Sequence, residues 1–280
     1  MTPRDDFAID GSVPAGRPSP ETAAVHDVAA RGFATAGRAY ETGRPEYPPE
    51  AIACLIDRLC IGPSSVVLDV GAGTGKLARL LLPTGARITG VEPVADMRDA
   101  FARALPGTAI LEGTAEALPV ADGSVDAIVV GTAFHWFDGV AALREARRVL
   151  RSGGGLGLAW NARDETVPWV AELVAMVATF MRGDPPRYTS GAWRAAFGTA
   201  PAPDWFTPLE EATFPFANVV PREVALARVA STSFVGALGE AERAEVLARA
   251  RAMLDTHPDT RDRDGITLPH RADVFWCHRR

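Results

Sequence analysis

A short glycine-rich segment between an apolar run and an amphipathic one constrains the fold of this chain most. Residues 66–70 (VVLDV) favour a strand buried on both faces, and residues 77–82 place apolar side chains at helical spacing. The segment between them, residues 71–75, reads GAGTG. Glycines there let the backbone turn tightly and approach a ligand closely, and the following helix begins with unpaired N–H groups. The pattern predicts a ligand-binding strand–loop–helix unit, with an ordinary turn as the alternative.

Two well-known glycine loops do not match this segment. A P-loop needs a glycine five residues before Gly75 and a Ser or Thr after the lysine, but the chain has Val70 and Leu77 there. A dinucleotide fingerprint needs a small residue where Lys76 stands, because helix and strand pack closely at that point. What remains is G-x-G-x-G preceded by the acidic Asp69.

The rest of the chain continues the alternation of strand and helix. Strands are predicted at residues 66–70, 87–91, 108–111, 125–130 and 156–160, with helices at 77–82, 94–105, 140–150 and 167–181. After an irregular segment rich in Pro and Trp at 183–209, strands at 211–216 and 266–276 and helices at 222–230 and 240–254 complete the pattern. This alternation is typical of an α/β protein whose parallel sheet is covered by helices on both faces.

Composition and charge restrict the class of function. The 280 residues are 47% hydrophobic and 23% charged, as in a globular protein with one large domain or with one domain that carries a sizeable insertion. The net charge is −6, which argues against a sequence-independent nucleic-acid binder, because such a protein needs a basic face. The longest apolar stretch, 167–181, is interrupted by Glu172 and is too short to cross a bilayer. We therefore expect neither a nucleic-acid nor a membrane partner.

The cysteines and acidic residues favour a metal-free protein of a reducing compartment. There are three cysteines, an odd number, and no C-x-x-C pair. This usage is typical of unpaired thiols rather than of disulfides or a zinc site. No carboxylate cluster suited to Mg²⁺ stands at the predicted strand ends. We expect a cytoplasmic protein without a metal site.

Several motifs along the chain resemble those of one family. The acidic Asp69 is followed by Glu92 in the sequence GVEP, 19 residues after Gly73. Further matching segments are RPEYP at 44–48, GTAE at 113–116, FHWF at 134–137 and RRVLRSGG at 147–154. Together they resemble class I methyltransferases that depend on S-adenosylmethionine (SAM). Within these, the chain is similar to the F-H-W-F subgroup of the methyltransferase type 11 family, which includes trans-aconitate methyltransferase-like enzymes. Ser152 departs from the proline usual in the last motif.

The resemblance implies a fold and a division of the chain. It implies a Rossmann-like, seven-stranded, mostly parallel sheet in the order 3-2-1-4-5-7-6, with strand 7 antiparallel. Helices are expected on both faces, with an N-terminal helical lid. Residues 1–21 are expected to form a disordered tail, 22–62 the helical cap and 63–162 the SAM-binding core. Residues 163–280 are expected to bind the acceptor and to complete the sheet.

The resemblance also implies a site for SAM, which leaves as S-adenosylhomocysteine (SAH). The ammonium of SAM suits an acidic residue such as Asp69, its carboxylate suits the glycine N–H groups, and its ribose hydroxyls suit Glu92. The expected SAM-binding residues are Tyr40, Arg44, Asp69, Gly71, Ala72, Gly73, Thr74, Glu92, Pro93, Met97, Thr114, Ala115, Glu116, Gly131 and Thr132. Met97 in particular has packing in the core as an alternative role.

The methyl acceptor is expected at the same edge of the sheet, because ligands of open α/β sheets lie beyond the carboxyl ends of the strands. His135 follows the fourth predicted strand and is the candidate general base, with a role in shaping the pocket wall as the alternative. All six tryptophans come at residue 136 or later, so we expect a small apolar or aromatic acceptor near His135, Trp136, Trp160 and Trp193. The alternative is that these aromatic residues pack the 165–210 segment onto the sheet.

These observations predict a SAM-dependent methyltransferase that acts on a small molecule, as a monomer or homodimer. Two other functions on the same fold stay open: an isomerisation or cyclisation without methyl transfer, and SAM binding by a regulatory protein. Conversion of SAM to SAH would distinguish a methyltransferase from both of these alternatives. An RNA methyltransferase would need a basic groove, which the sequence does not show.

Overall fold

The computed structural model describes residues 45–183, 186–263 and 265–280. The predicted tail at 1–21, most of the predicted cap at 22–62, and the candidate residues Tyr40 and Arg44 lie outside these ranges. The division of the chain into cap, core and acceptor region therefore stays a prediction.

Strands and helices alternate along the described chain as far as the fifth strand, except that the fourth strand follows the third without a helix between them. The strands are β1 (Val66–Val70), β2 (Arg87–Val91), β3 (Ala109–Leu111), β4 (Val125–Gly131), β5 (Leu150–Arg163), β6 (Glu210–Pro221) and β7 (Gly265–His278). The longer helices are α1 (Pro49–Arg58), α2 (Lys76–Leu81), α3 (Ala95–Ala104), α4 (Gly139–Val149), α5 (Pro168–Ala178), α6 (Arg222–Ala230) and α7 (Glu240–Thr256). Short helical turns occur at Leu82–Thr84, Phe134–Trp136, Tyr188–Ser190, Ala192–Arg194, Ala195–Gly198, Ala202–Trp205 and Ser233–Gly236. Within the described ranges, no helix combines the length and the apolarity that crossing a bilayer requires.

The seven strands form one sheet in the order β3-β2-β1-β4-β5-β7-β6. β1 pairs in parallel with β2 and β4, and the pairs β2–β3 and β4–β5 are also parallel. β7 is antiparallel to both of its neighbours, β5 and β6. The expected fold class and strand order are confirmed.

An apolar core lies on each face of the sheet. Leu68 and Ile128 are buried in one core together with residues of α4, whereas Val67 and Ala127 are buried in the other with residues of α1 and α2. Every residue of β1 is buried, which explains why its sequence is apolar throughout except for Asp69. Each large aliphatic side chain buried in this way contributes about 1.5–3 kcal/mol. The two cores therefore fix the strands and the loops at their carboxyl ends.

A third apolar cluster lies beside an extension of β6 and β7. β7 pairs with β5 only as far as the pair His270–Arg163, and residues 265–269 pair with β6 alone. Helices α5, α6 and α7 pack around this extension and bury Trp169, Leu226 and Val246. These three helices, called the helical layer below, lie beyond the carboxyl end of β5.

Candidate active site

Two adjoining cavities lie at the carboxyl ends of the parallel strands. The larger has a volume of about 360 Å³ and the smaller about 80 Å³. Gly71, Gly73 and Thr132 line both, so the loops after β1 and β4 lie where the cavities meet. Of the expected SAM-binding residues, the larger cavity is also lined by Asp69, Ala72, Thr74 and Gly131, and the smaller by Glu92, Pro93, Met97, Thr114 and Ala115. The predicted residues are thus brought together at one edge of the sheet.

The glycine loop after β1 folds back on the end of β2. The N–H groups of Gly71 and Ala72 donate to the carbonyl of Val91, at 2.8 and 3.2 Å. Gly71 has a φ of +68°, and a Cβ there would lie 2.8 Å from the Cβ of Ala133, so this position requires glycine. Gly73 has a φ of +54°, and no atom lies within 4 Å of a Cβ built on it. The loop therefore allows close approach of a ligand. The N–H groups of Gly71 and Ala72, however, donate within the protein and not to a ligand carboxylate.

The carboxylate of Glu92, just after β2, holds the glycine loop in place. Its Oε2 accepts a hydrogen bond from the N–H of Gly73 and its Oε1 accepts one from the N–H of Val94, both at 3.0 Å. The residue is 7% exposed and lines the smaller cavity. A carboxylate has about four lone-pair sites and can accept several hydrogen bonds at once, including bonds from ligand hydroxyl groups.

Asp69 is a buried carboxyl group beside the glycine loop. It is 1% exposed, and its Oδ2 accepts a hydrogen bond from the N–H of Ala78 in α2 at 3.0 Å. Burial raises the pKa of Asp69 to about 7; the Ala78 hydrogen bond opposes this rise, and the charge of Glu92 adds to it. A cation placed against Asp69 would favour its ionised form.

Apolar side chains build most of the smaller cavity. Met97 of α3 is 6% exposed and lies in this wall, as do Phe137 and Ala115. Trp136, an expected acceptor residue, also lies here, with the expected SAM-binding residues. A flat apolar ring system would suit this slot between α3 and the loop after β4.

Two expected site residues lie outside the linings of both cavities. Glu116 accepts a hydrogen bond from the N–H of Asp138, the residue before α4, at 2.9 Å. Trp193 is 7% exposed and packs in the core against Trp160, with ring centroids 4.7 Å apart. Glu116 thus fixes the start of α4, and Trp193 supports the cavity wall from behind.

Sequence reasoning missed Tyr47, although it lies in the RPEYP motif. Its hydroxyl forms a hydrogen bond with Oγ1 of Thr132 at 2.8 Å and donates to the carbonyl of Ala159 at 3.3 Å. Nearby, Nδ2 of Asn161 donates to the carbonyl of Pro45 at 3.0 Å. These bonds join the segment before α1 to the carboxyl ends of β4 and β5, at the wall of the larger cavity.

His135 is held by a hydrogen bond from a tryptophan. The indole Nε1 of Trp160 lies 3.1 Å from Nδ1 of His135, and both residues line the larger cavity. An indole N–H can only donate, so Nδ1 supplies the lone pair and the proton of the neutral imidazole lies on Nε2. In this tautomer, Nε2 of His135 is a hydrogen-bond donor. The general-base role stays a prediction, and this contact does not favour it.

A buried hydrogen-bond network centred on Asp273 lies beside the stacked rings of Tyr188 and Trp160. Asp273 of β7 is 4% exposed and accepts hydrogen bonds from Tyr188 Oη at 2.5 Å, Thr213 Oγ1 at 2.7 Å and Arg271 Nε at 2.9 Å. Tyr188 stacks on Trp160 with ring centroids 4.7 Å apart. Burial, and then its bond to Asp273, raise the pKa of the Tyr188 phenol above its ordinary value of 10, so it stays protonated at neutral pH.

His270 is a second cavity residue that sequence reasoning missed, because no motif surrounds it. It is 6% exposed, stacks on Phe216, and its Nδ1 lies 2.9 Å from the carbonyl of Leu268. Burial lowers its pKa to about 4, the Leu268 bond opposes this, and the charges of Arg228 and Arg163 lower it further. Neutral His270 donates from Nδ1, which leaves a lone pair on Nε2.

Carboxylates at this edge of the sheet bond to backbone N–H groups and do not cluster. Asp69 and Glu92 each accept at least one such bond. Within the described ranges, no group of three or more His, Cys, Asp or Glu side chains is placed to hold a metal ion.

The strand order, the glycine loop and the acidic residues near the ends of β1 and β2 define a Rossmann-like fold of the methyltransferase type. Residues 68–158 match a family model described as a methyltransferase domain. The chain is 40% identical over 238 residues to an uncharacterized methyltransferase of Mycobacterium bovis, covering 85% of this chain and 91% of the relative. It is 34% identical over 237 residues to an uncharacterized methyltransferase-like protein of Schizosaccharomyces pombe, covering 84% and 91%. The chain belongs to this methyltransferase family.

Solved structures share the fold at low sequence identity. The YcgJ protein of Bacillus subtilis superposes with a TM-score of 0.55 at 19% identity, over 82% of this chain and 98% of that protein. A protein from Anaeromyxobacter dehalogenans superposes with a TM-score of 0.59 at 22% identity, over 84% and 96%. At this identity the likeness concerns the fold alone.

Proposed function

We propose that this protein transfers the methyl group of SAM to a small-molecule acceptor and releases SAH. One arrangement carries the proposal: the carboxyl groups of Asp69 and Glu92, near the ends of adjacent parallel strands, flank a glycine loop where two cavities meet. Such a pair suits a ligand with a cationic amino-acid end and a ribose. It suits a dinucleotide less well, because the pyrophosphate would meet negative charge.

The residues around the loop fit the parts of SAM. Glu92 would bind the ribose hydroxyls, and Met97 and Ala115 would contact the adenine in the smaller cavity. Asp69 would face the ammonium, which stabilises the ionised form of a carboxyl whose pKa burial has raised. Oγ1 of Thr74 is buried without a hydrogen-bond partner among the described residues, which makes it a further polar group for the amino-acid end.

The larger cavity supplies space for the acceptor next to the glycine loop. When bound, SAM supplies a methyl carbon already activated by the sulfonium, so the protein mainly has to position the acceptor and exclude water. Trp160 fixes the tautomer of His135, and we assign His135 to contact with the acceptor as a hydrogen-bond donor. Removal of a proton by its Nδ1 would first require the Trp160 bond to break.

Calorimetric titration with SAM, SAH and NAD tests the cofactor assignment. We expect binding of SAM and SAH in the micromolar range and none of NAD. Glu92→Gln should weaken SAH binding about tenfold or more, because a charge-assisted hydrogen bond contributes roughly 1.5–3 kcal/mol. Absence of SAM and SAH binding by the wild-type protein would refute the proposal.

Glu112→Gln is the matched control for this experiment. Glu112 also directly follows a parallel strand, β3, but its exposed carboxylate pairs with Arg98 at 2.9 Å and lines neither cavity. We expect unchanged SAH binding in this variant. Incubation of the wild-type protein with SAM and pools of small acceptors should then form SAH; binding without turnover would favour a regulatory protein.

A further inference from the structure

The helical layer contributes to the larger cavity a cation that has no counter-ion among the described residues. Arg228 of α6 lines this cavity, and its Nε and Nη1 atoms are buried without a hydrogen-bond partner among the described residues. Burial lowers the pKa of its guanidinium, and no carboxylate opposes that effect. Two buried guanidinium nitrogens that have neither a hydrogen bond nor a counter-charge among the described residues are unfavourable, so their presence at a cavity points to a ligand.

Arg163 brings a second positive charge close to Arg228. Nη2 of Arg163 donates to the carbonyl of Arg228 at 3.3 Å, and the charges of both arginines act on His270. Two carboxylates line the cavity within the described ranges: Asp69 beside the glycine loop, and Glu165, which is exposed. This part of the cavity therefore favours an anion.

Apolar side chains form another part of the same wall. Val174, Val177 and Ala178 of α5 line the cavity, followed by Met181 and Phe234. Their contacts suit a hydrocarbon or aromatic group of a ligand. The cavity thus combines an apolar surface with a cationic group, both supplied by the helical layer.

We propose that the methyl acceptor is a carboxylic acid with an apolar body, and that Arg228 binds its carboxylate. The proposal rests on the proposed function and specifies the chemical class of the acceptor. The guanidinium supplies the charge and the hydrogen-bond donors for a carboxylate, while α5 contacts the apolar body. Arg228 is in this view a residue that determines specificity and does not take part in the transfer itself.

The test compares acids with neutral analogues of the same shape. Octanoate, 3-phenylpropanoate and benzoate, each beside its primary amide, are titrated by calorimetry into the protein saturated with SAH. We expect at least one acid to bind about tenfold or more tightly than its amide. Equal binding of every acid and its amide, or no binding of any acid, would overturn the proposal.

Variants at position 228 assign the preference to one side chain. Arg228→Gln should abolish the preference for the acid over the amide, whereas Arg228→Lys, which keeps the charge, should retain part of it. Arg251→Gln is the control, since Arg251 lies on α7 in an exposed ion pair with Glu223. An acid preference that survives Arg228→Gln would overturn the assignment.

SAH binding separates this test from that of the proposed function. Each variant is first titrated with SAH, and unchanged affinity shows that it is folded with an intact SAM site. If the wild-type protein does not bind SAH, the methyltransferase proposal is refuted. The acid and amide titrations are therefore repeated without SAH, where the effect of Arg228 on anion binding is measured independently.

Discussion

Replacement of Asp69 by asparagine should stabilise the protein above neutral pH while weakening its binding of SAM. The carboxyl has a pKa of about 7 in the folded chain, raised from an ordinary 3.8 chiefly by burial. Between these values the folded state holds a proton that the unfolded state has lost, so the free energy of unfolding falls as pH rises. The fall approaches about 1.4 kcal/mol per pH unit, amounts to roughly 2 kcal/mol between pH 5 and pH 7, and levels off above the folded pKa. Asparagine does not titrate, so the free energy of unfolding of Asp69→Asn should not show this fall.

Urea unfolding of both proteins at pH 5, 6, 7 and 8, followed by tryptophan fluorescence, measures the effect. Between pH 5 and pH 8, the free energy of unfolding of Asp69→Asn should rise relative to that of the wild type by at most roughly 3 kcal/mol. Asp99→Asn, at an exposed position of α3, is the control and should show no such trend. A constant difference between wild type and Asp69→Asn would refute the reasoning. The variant should also bind SAM less well at pH 8, because it cannot supply the negative charge.

Three other perturbations have defined outcomes. Tyr47→Phe removes the bond between the Tyr47 hydroxyl and Thr132, so the free energy of unfolding should fall by about 1 kcal/mol in urea titrations; an unchanged midpoint would show that this bond contributes nothing. Gly71→Ala forces a Cβ to 2.8 Å from Ala133 at a φ of +68°, and thermal unfolding should show a loss of about 2 kcal/mol or more; tolerance would mean that the loop relaxes easily. Trp160→Phe removes the donor to His135, so ¹⁵N NMR should find the Nε2–H tautomer in the wild type and a mixture in the variant; a mixture in both would contradict the assigned hydrogen bond.

The parallel part of the sheet could be predicted because its signals are local. Residues 66–70 and 125–130 are apolar except for one aspartate each, as is typical of strands buried on both faces, and both lie in strands of the sheet. The last two strands along the chain, β6 and β7, were predicted too short. β6 runs to Pro221 rather than to residue 216, and its last residues pair with the extension of β7 beyond the end of β5.

The candidate site was predictable where a motif carries the chemistry. The glycine loop, Asp69 and Glu92 lie together because parallel strands end at the same edge. Tyr47 bonds to Thr132, 85 residues away, and Arg228 and His270 reach the cavity only through the folding of α6 and β7, so their position at the site could not be predicted from local sequence. Trp193 packs against Trp160 and lines neither cavity, and the sequence alone could not distinguish these two tryptophans, since one residue of an aromatic cluster can face a cavity while its neighbour packs behind it.

The helical layer packs on the extension of β6 and β7 beyond β5, so it and the proposed SAM contacts come from different stretches of the sequence. The proposed SAM contacts lie between residues 69 and 132, whereas the helical layer that walls the larger cavity belongs to the stretch from 165 to 270. On the proposed assignments, exchange of the block that follows residue 163 would replace the helical layer and leave His135 and the proposed SAM contacts in place. Chimaeras joined near residue 163 would therefore test whether the helical layer determines which acceptor binds.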